Sequence, residues 1–234
     1  MVSGLVSCGR IDFEDADWLS GIDDTAPAGE DVSTDTSAGN NLFYSGPTIT
    51  VPIAAADGER FIYGDSNALG IQGRWYSYQD DLSTLTMSNS VSGFFYLSGE
   101  VAPGEPAQYR YVGMGMGLCY DPETAYYPIG SCPWAPILAQ QVVGFAFDFN
   151  GTYAESGGAV LIFISNSTGN SLHWDIPATG HHEVLFSDMR IAQPNVPLTA
   201  SDIDRVQFQL GNQTAAAVPY DFFAGNFEIL IRAQ

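Results

Sequence analysis

The chain has 234 residues, 45% of them hydrophobic and 13% aromatic, enough to bury a large core without a disulfide or metal. Seven arginines and no lysine face 27 carboxylates, a formal net charge of −20. So negative a surface repels phosphate backbones and anionic head groups, which excludes nucleic acid as a partner, yet it is compatible with calcium or with mere solubilisation.

Residues 1–10 read as a processing remnant or tether, and 11–234 as one domain. Leu5-Val6-Ser7-Cys8 resembles the bacterial lipobox, in which the cysteine becomes lipidated, although the seven residues before Cys8 include no basic one. A lipid anchor at Cys8 is the only membrane association expected, since no apolar run of about 18 residues exists. "IDFEDADWL", from Ile11 to Leu19, alternates apolar and acidic residues and opens as a strand. Residues 20–41 are Asp, Ser, Thr, Ala and Gly with few apolar anchors, a long loop.

From Leu42 onward the pattern is β almost without interruption. "TITVPIA", "RFIYG", "RWYSY", "SGFFYLSG", "YRYVGMGMGL", "VVGFAFDF", "GAVLIFIS", "SLHWDIP", "HEVLFS", "DRVQFQL" and "NFEILI" are short and rich in β-branched and aromatic residues. Gly, Pro, Asn and Asp separate them. Phe145, Phe147 and Phe149 alternate with Ala146 and Asp148 at the period of a strand. No window carries a capped helical stripe, so the expected fold is all-β, a sandwich or a barrel.

Cys119 and Cys132 share an aromatic, proline-containing loop, "LCYDPETAYYPIGSCPW", with no zinc-spaced partner. A disulfide between them would place the protein outside the cytosol; two buried free thiols is the other reading.

The segment "GIQGRWYSYQDD", Gly70 to Asp81, begins a resemblance that runs in order through "YVGMGMGL", "VVGFAFDF", "HHEVLFSDMR", "LTASDIDRVQFQL" and "YDFFAGNFEILI". Together with "DFED" near the start, these are similar to bacterial surface lipoproteins and carbohydrate-binding modules of the galactose-binding-like jelly-roll type. The resemblance implies an exported jelly-roll β-sandwich of two antiparallel sheets, a polysaccharide or oligosaccharide partner, and a structural Ca2+ held by carboxylates of the first and last strands. Here those are Glu14 and Asp221, with Asp12 and Glu228 as weaker candidates. Paired aspartates near the end of the family's last strand are replaced by Gly225-Asn226-Phe227-Glu228.

Alternation places Tyr76 and Tyr78 on one face of their strand and Trp75 on the other. An exposed ring offers its face to the C–H bonds of a sugar, with Gln72, Arg74, Asp80 and Asp81 as polar partners. One of the two faces must also be core. Gly113, Gly115 and Gly117 share a face, a bare strip that admits close approach of a ring, another backbone or a ligand, with a large core aromatic packed over it as the leading expectation. Trp134, with Tyr126 and Tyr127, belongs to the cysteine loop and either meets a ligand or plugs the end of the sandwich. His181 and His182 are adjacent and point apart, whereas His173 with Asp175 has the composition of an oriented base. There is no nucleophile elbow and no H-E-x-x-H.

A non-catalytic carbohydrate-binding module is therefore the leading expectation. The alternatives are a surface adhesion protein and a lyase or glycoside hydrolase on the same scaffold, whose distant carboxylates leave no sequence signature.

Overall fold

Runs of alternating β-branched and aromatic residues can satisfy backbone and side chains together only by pairing into sheets, one face buried. The computed structural model describes residues 42, 44–55, 57–104, 109–118, 142–153, 159–164, 169–199 and 202–233. They fall within one unit, Asp35–Gln234.

The strands are β1 (Thr48–Pro52), β2 (Phe61–Ile62), β3 (Gly73–Gln79), β4 (Thr84–Met87), β5 (Phe94–Val101) and β6 (Arg110–Gly117). There follow β7 (Val142–Thr152), β8 (Ala159–Ile164), β9 (Ser171–Ile176), β10 (Gly180–Leu185), β11 (Arg190–Ile191), β12 (Arg205–Asn212) and β13 (Val218–Arg232). One sheet runs β10-β7-β13-β5-β4, with β1 also on β13; the other runs β11-β9-β8-β12-β6-β3-β2. Every pairing is antiparallel. The chain changes sheet after β1, β3, β5, β6, β7, β9, β10 and β12. That winding of two sheets around one core is a jelly roll.

The expected alternation in "VVGFAFDF" holds: Phe145, Phe147 and Phe149 are all buried. Rings from both sheets meet at the centre, where Trp75 lies 4.2 Å from Phe227 and 5.3 Å from Phe95, and Phe147 lies 4.9 Å from Phe208. The stretch Gly225–Glu228 is a bulge against β7. It lets Ala224 and Phe227 both face the core, which strict alternation forbids. Asn226 takes the positive φ of 48° that the bulge requires, and its amide donates to Asp148 Oδ2 at 2.6 Å.

Candidate functional site

The outer face of the seven-stranded sheet follows from register. On β3, Trp75 points inward, so Tyr76 and Tyr78 point out. Tyr76 is level with Gly115 and Gln207, and Tyr78 with Gly113 and Gln209, across β6 and β12. Tyr111 joins them on β6, level with Gly211.

The glycines make the surface flat. A Cβ on Gly115 would stand 2.7 Å from the Tyr76 phenol carbon and hydroxyl, and one on Gly113 2.5 Å from those of Tyr78. A Cβ on Gly211 would collide with the Tyr109 phenol. Each tyrosine thus lies down across a neighbouring strand, its hydroxyl end over bare backbone. The rings covering the glycine strip are outward-facing tyrosines, not the core aromatic expected from the sequence; the core side of β6 is filled by the fully buried Met114 and Met116.

Tyr76, Tyr78, Tyr111 and Tyr109 form a continuous line, with successive centroids 6.2, 6.2 and 6.4 Å apart. All four are half-buried. Gln207 Nε2 donates to the Tyr76 hydroxyl at 2.9 Å, and the Tyr78 hydroxyl lies 3.4 Å from Gln209 Oε1. Burial of the hydroxyl ends raises the pKa of Tyr76, Tyr78 and Tyr109, so all three stay neutral donors at physiological pH.

Beyond β8 the same face continues onto β9. Ser171, His173 and Asp175 are two residues apart and share it, opposite Ile164, Ile162 and Val160. The Ser171 hydroxyl is 2.7 Å from His173 Nε2, and Arg190 pairs with Asp175 at 3.2 Å. Burial, reinforced by Arg190 and opposed by Asp175, lowers the His173 pKa to about 4. So weak a base is poorly matched to proton abstraction at neutral pH.

Two of the residues expected at a ligand have other work. Trp75 is fully buried among Phe95, Phe208 and Phe227, which removes it from any surface site. Its indole Nε1 has no hydrogen-bond partner among the described residues. Asp80 is a turn residue: its carboxylate accepts from the Leu82, Ser83 and Tyr111 amides and the Ser83 hydroxyl, at 2.7–3.0 Å. Burial pushes its pKa up, but those donors outweigh burial and hold it below the usual value. Buried Arg110 pairs with Asp81 at 3.0 Å and stands 3.8 Å from Asp80.

Arg74 is exposed on the tyrosine side of the sheet, its guanidinium 5.2 Å from the centre of the Phe61 ring. Asp221 stands exposed on the outer face of the other sheet, where it accepts from the Tyr96 hydroxyl. Among the described residues no three His, Cys, Asp or Glu side chains gather as a metal site. Cys8, Asp12, Glu14, Cys119, Tyr126, Tyr127, Cys132 and Trp134 lie outside the described residues.

The residues missed from sequence are Tyr109, Tyr111, Gln207, Gln209 and Arg205. A signal was present: Tyr111 shares parity with the glycine strip, and Arg205, Gln207 and Gln209 alternate with Val206, Phe208 and Leu210. What the pattern lacked was the pairing of β3, β6 and β12, which joins residues as far as 131 positions apart.

No family model matches the chain, and no curated protein does. Among solved structures it is similar to a family 11 carbohydrate-binding module of the cellulosomal cellulase Lic26A-Cel5E of Clostridium thermocellum. The identity is 14%, with 82% of this chain and 98% of that one covered at a TM-score of 0.48. A family 11 module from Clostridium thermocellum in complex with a β-1,3-1,4-mixed-linked tetrasaccharide is 19% identical, covering 75% and 96% at a TM-score of 0.43. The enzymatically active domain of bacteriophage CBA120 tailspike protein 4 is 14% identical, covering 77% and 22% at 0.30. Likenesses at these scores assign neither family nor ligand.

Proposed function

We propose that the protein is a non-catalytic carbohydrate-binding module that holds a polysaccharide or oligosaccharide along the line Tyr76–Tyr78–Tyr111–Tyr109. The observation carrying this reading is the set of tyrosines laid over Gly115, Gly113 and Gly211. A strand interior that gives up side chains loses stability, and here the loss creates a flat aromatic surface on the outside of a sheet. A pyranose presents a flat array of C–H bonds, which stacks on such rings, while the Tyr hydroxyls and the Gln207 and Gln209 amides supply orienting polar groups. A shallow, half-open strip of this kind binds weakly and suits a polymer that passes across it.

A glycan array probed with the whole chain tests the proposal, with the mixed-linked tetrasaccharide as first solution probe. Saturable binding to at least one glycan, lost on Tyr78→Ala in folded protein, is the expected result. No binding across the array would remove the function.

The same reading places the protein outside the cytosol, where Cys119 and Cys132 close a disulfide and Cys8 is lipidated. Such a closure contributes about 2–4 kcal/mol. Mass spectrometry of unreduced peptides is expected to find the linked pair, and two free thiols would contradict it.

A further inference from the structure

Register across the six-stranded sheet builds a second aromatic platform, on the sheet opposite the tyrosine line. His181, Asp148, Gly225 and Phe94 are level on β10, β7, β13 and β5, and the next outward row holds Asn150, Phe223 and Tyr96. Phe94 follows a two-residue turn in which Ser92 and Gly93 both take positive φ, 53° and 80°. That is the geometry of a tight hairpin, so the backbone fixes where Phe94 starts. Its ring lies over bare Gly225, where a Cβ would collide with the ring and with the Gly93 carbonyl oxygen. The Phe94 and Phe223 rings meet edge to face at 5.6 Å. Tyr96 is 43% exposed and donates its hydroxyl to Asp221.

The solvent side of a sheet is ordinarily polar, and a ring left there forgoes the stabilisation of burial. Here three rings gather mid-sheet with hydrogen-bonding groups at their edges. Asn150 Oδ1 accepts from the Gly151 amide at 2.8 Å, and its Nδ2 has no partner among the described residues. Asn226 gives one amide hydrogen to Asp148 at 2.6 Å, and Asp148 also lies 2.7 Å from His181 Nδ1. The strands turn Glu100, Asp148, Glu183, Asp221 and Glu228 outward, against His181 and Arg232, whose guanidinium lies 4.8 Å from the centre of the Tyr44 ring. That excess of carboxylate repels anions but accepts hydrogen bonds from hydroxyls.

We propose that Phe94, Tyr96 and Phe223 form a second, weaker contact face for a neutral polysaccharide, so that one domain holds two chain segments on opposite sheets. The proposal rests on the carbohydrate reading above and adds a site to it. Phe94 and Phe223 offer apolar surface to the C–H bonds of a sugar ring, Asn150 Nδ2 donates to a hydroxyl, and Asp221 accepts from one. With three rings against four, the face binds more weakly than the tyrosine line, so binding on an array follows the tyrosines.

The test is NMR titration of the whole chain with millimolar neutral tetrasaccharides from mixed-linked β-glucan, xylan and mannan. Side-chain amides report each face separately, Gln207 and Gln209 for the tyrosine line, Asn150 and Asn226 for the second. Both pairs are expected to shift with at least one probe, the asparagines at about ten-fold higher sugar. Tyr96→Ala and Phe223→Ala are each expected to weaken the asparagine response about ten-fold and to leave the glutamine response at the parent level, in protein that still melts cooperatively. Tyr78→Ala is expected to do the reverse. Asparagine amides that stay still while the glutamines shift, or that respond unchanged in both variants, would overturn the second face and leave the tyrosine line standing. Asparagine shifts that follow protein concentration without sugar would give the face to a second copy of the chain and overturn it equally. Silence of both amide pairs with all three probes would remove the carbohydrate reading and the second face together.

Discussion

Among the described residues, His173 and Asp80 are two titrating side chains whose surroundings shape how the fold responds to acid. His173 is 9% exposed, and its pKa lies at about 4 against 6.5 for a free imidazole. Between those values the unfolded chain binds the proton that the folded one refuses. The contribution is therefore fully present at neutral pH and is lost as pH falls from 6.5 to 4, by about 3 kcal/mol in all. Denaturant titrations at pH 7 and pH 4 are expected to show a smaller loss for His173→Gln than for the parent; equal losses would contradict the assignment. Asp80 has a depressed pKa, so its contribution persists above about 3.8 and fades only in stronger acid. Asp80→Ala strands four donors and leaves buried Arg110 with only exposed Asp81. A stability loss of about 2–4 kcal/mol is expected in urea unfolding at pH 7.

At the scale of the strand, β3 divides its two functions by parity, with Trp75 in the core and Tyr76 and Tyr78 outside. Trp75→Ala opens a cavity among three phenylalanines and is expected to cost about 3–5 kcal/mol of folding stability. Gly115→Ala acts on the other face. The atoms nearest the new methyl belong to the side chains of Tyr76 and Gln207, not to backbone, so the tyrosine lifts while the strand stays paired. Its expected signature is a loss of glycan affinity of about 1 kcal/mol with a melting shift of only a few degrees.

This parity was readable in the sequence, because a strand with one aromatic face must bury it and "RWYSY" offers two. The short edge strand β4 was not, since "TLTM" is too brief to stand out from a turn. Nor was the Gly225–Glu228 bulge, where period-two alternation breaks within one continuous strand. The turn role of Asp80 was not legible, because an aspartate ending a strand has the same sequence signature whether it faces a sugar or caps its own turn.

For the molecule as a whole, the sandwich provides two outer faces and treats them differently. One gathers carboxylates around the β13 bulge; the other gathers tyrosine, glutamine and arginine over bare glycine. Net charge and composition could not reveal this division, because it depends on which strands become neighbours. The most direct measurement of the central claim is glycan binding and thermal melting on the same three proteins: parent, Tyr76→Ala and Tyr78→Ala. Both variants are expected to remain folded at 25 °C and to lose about 1–2 kcal/mol of affinity each for the glycan the parent binds. Variants that melt cooperatively and bind as tightly as the parent would contradict the account.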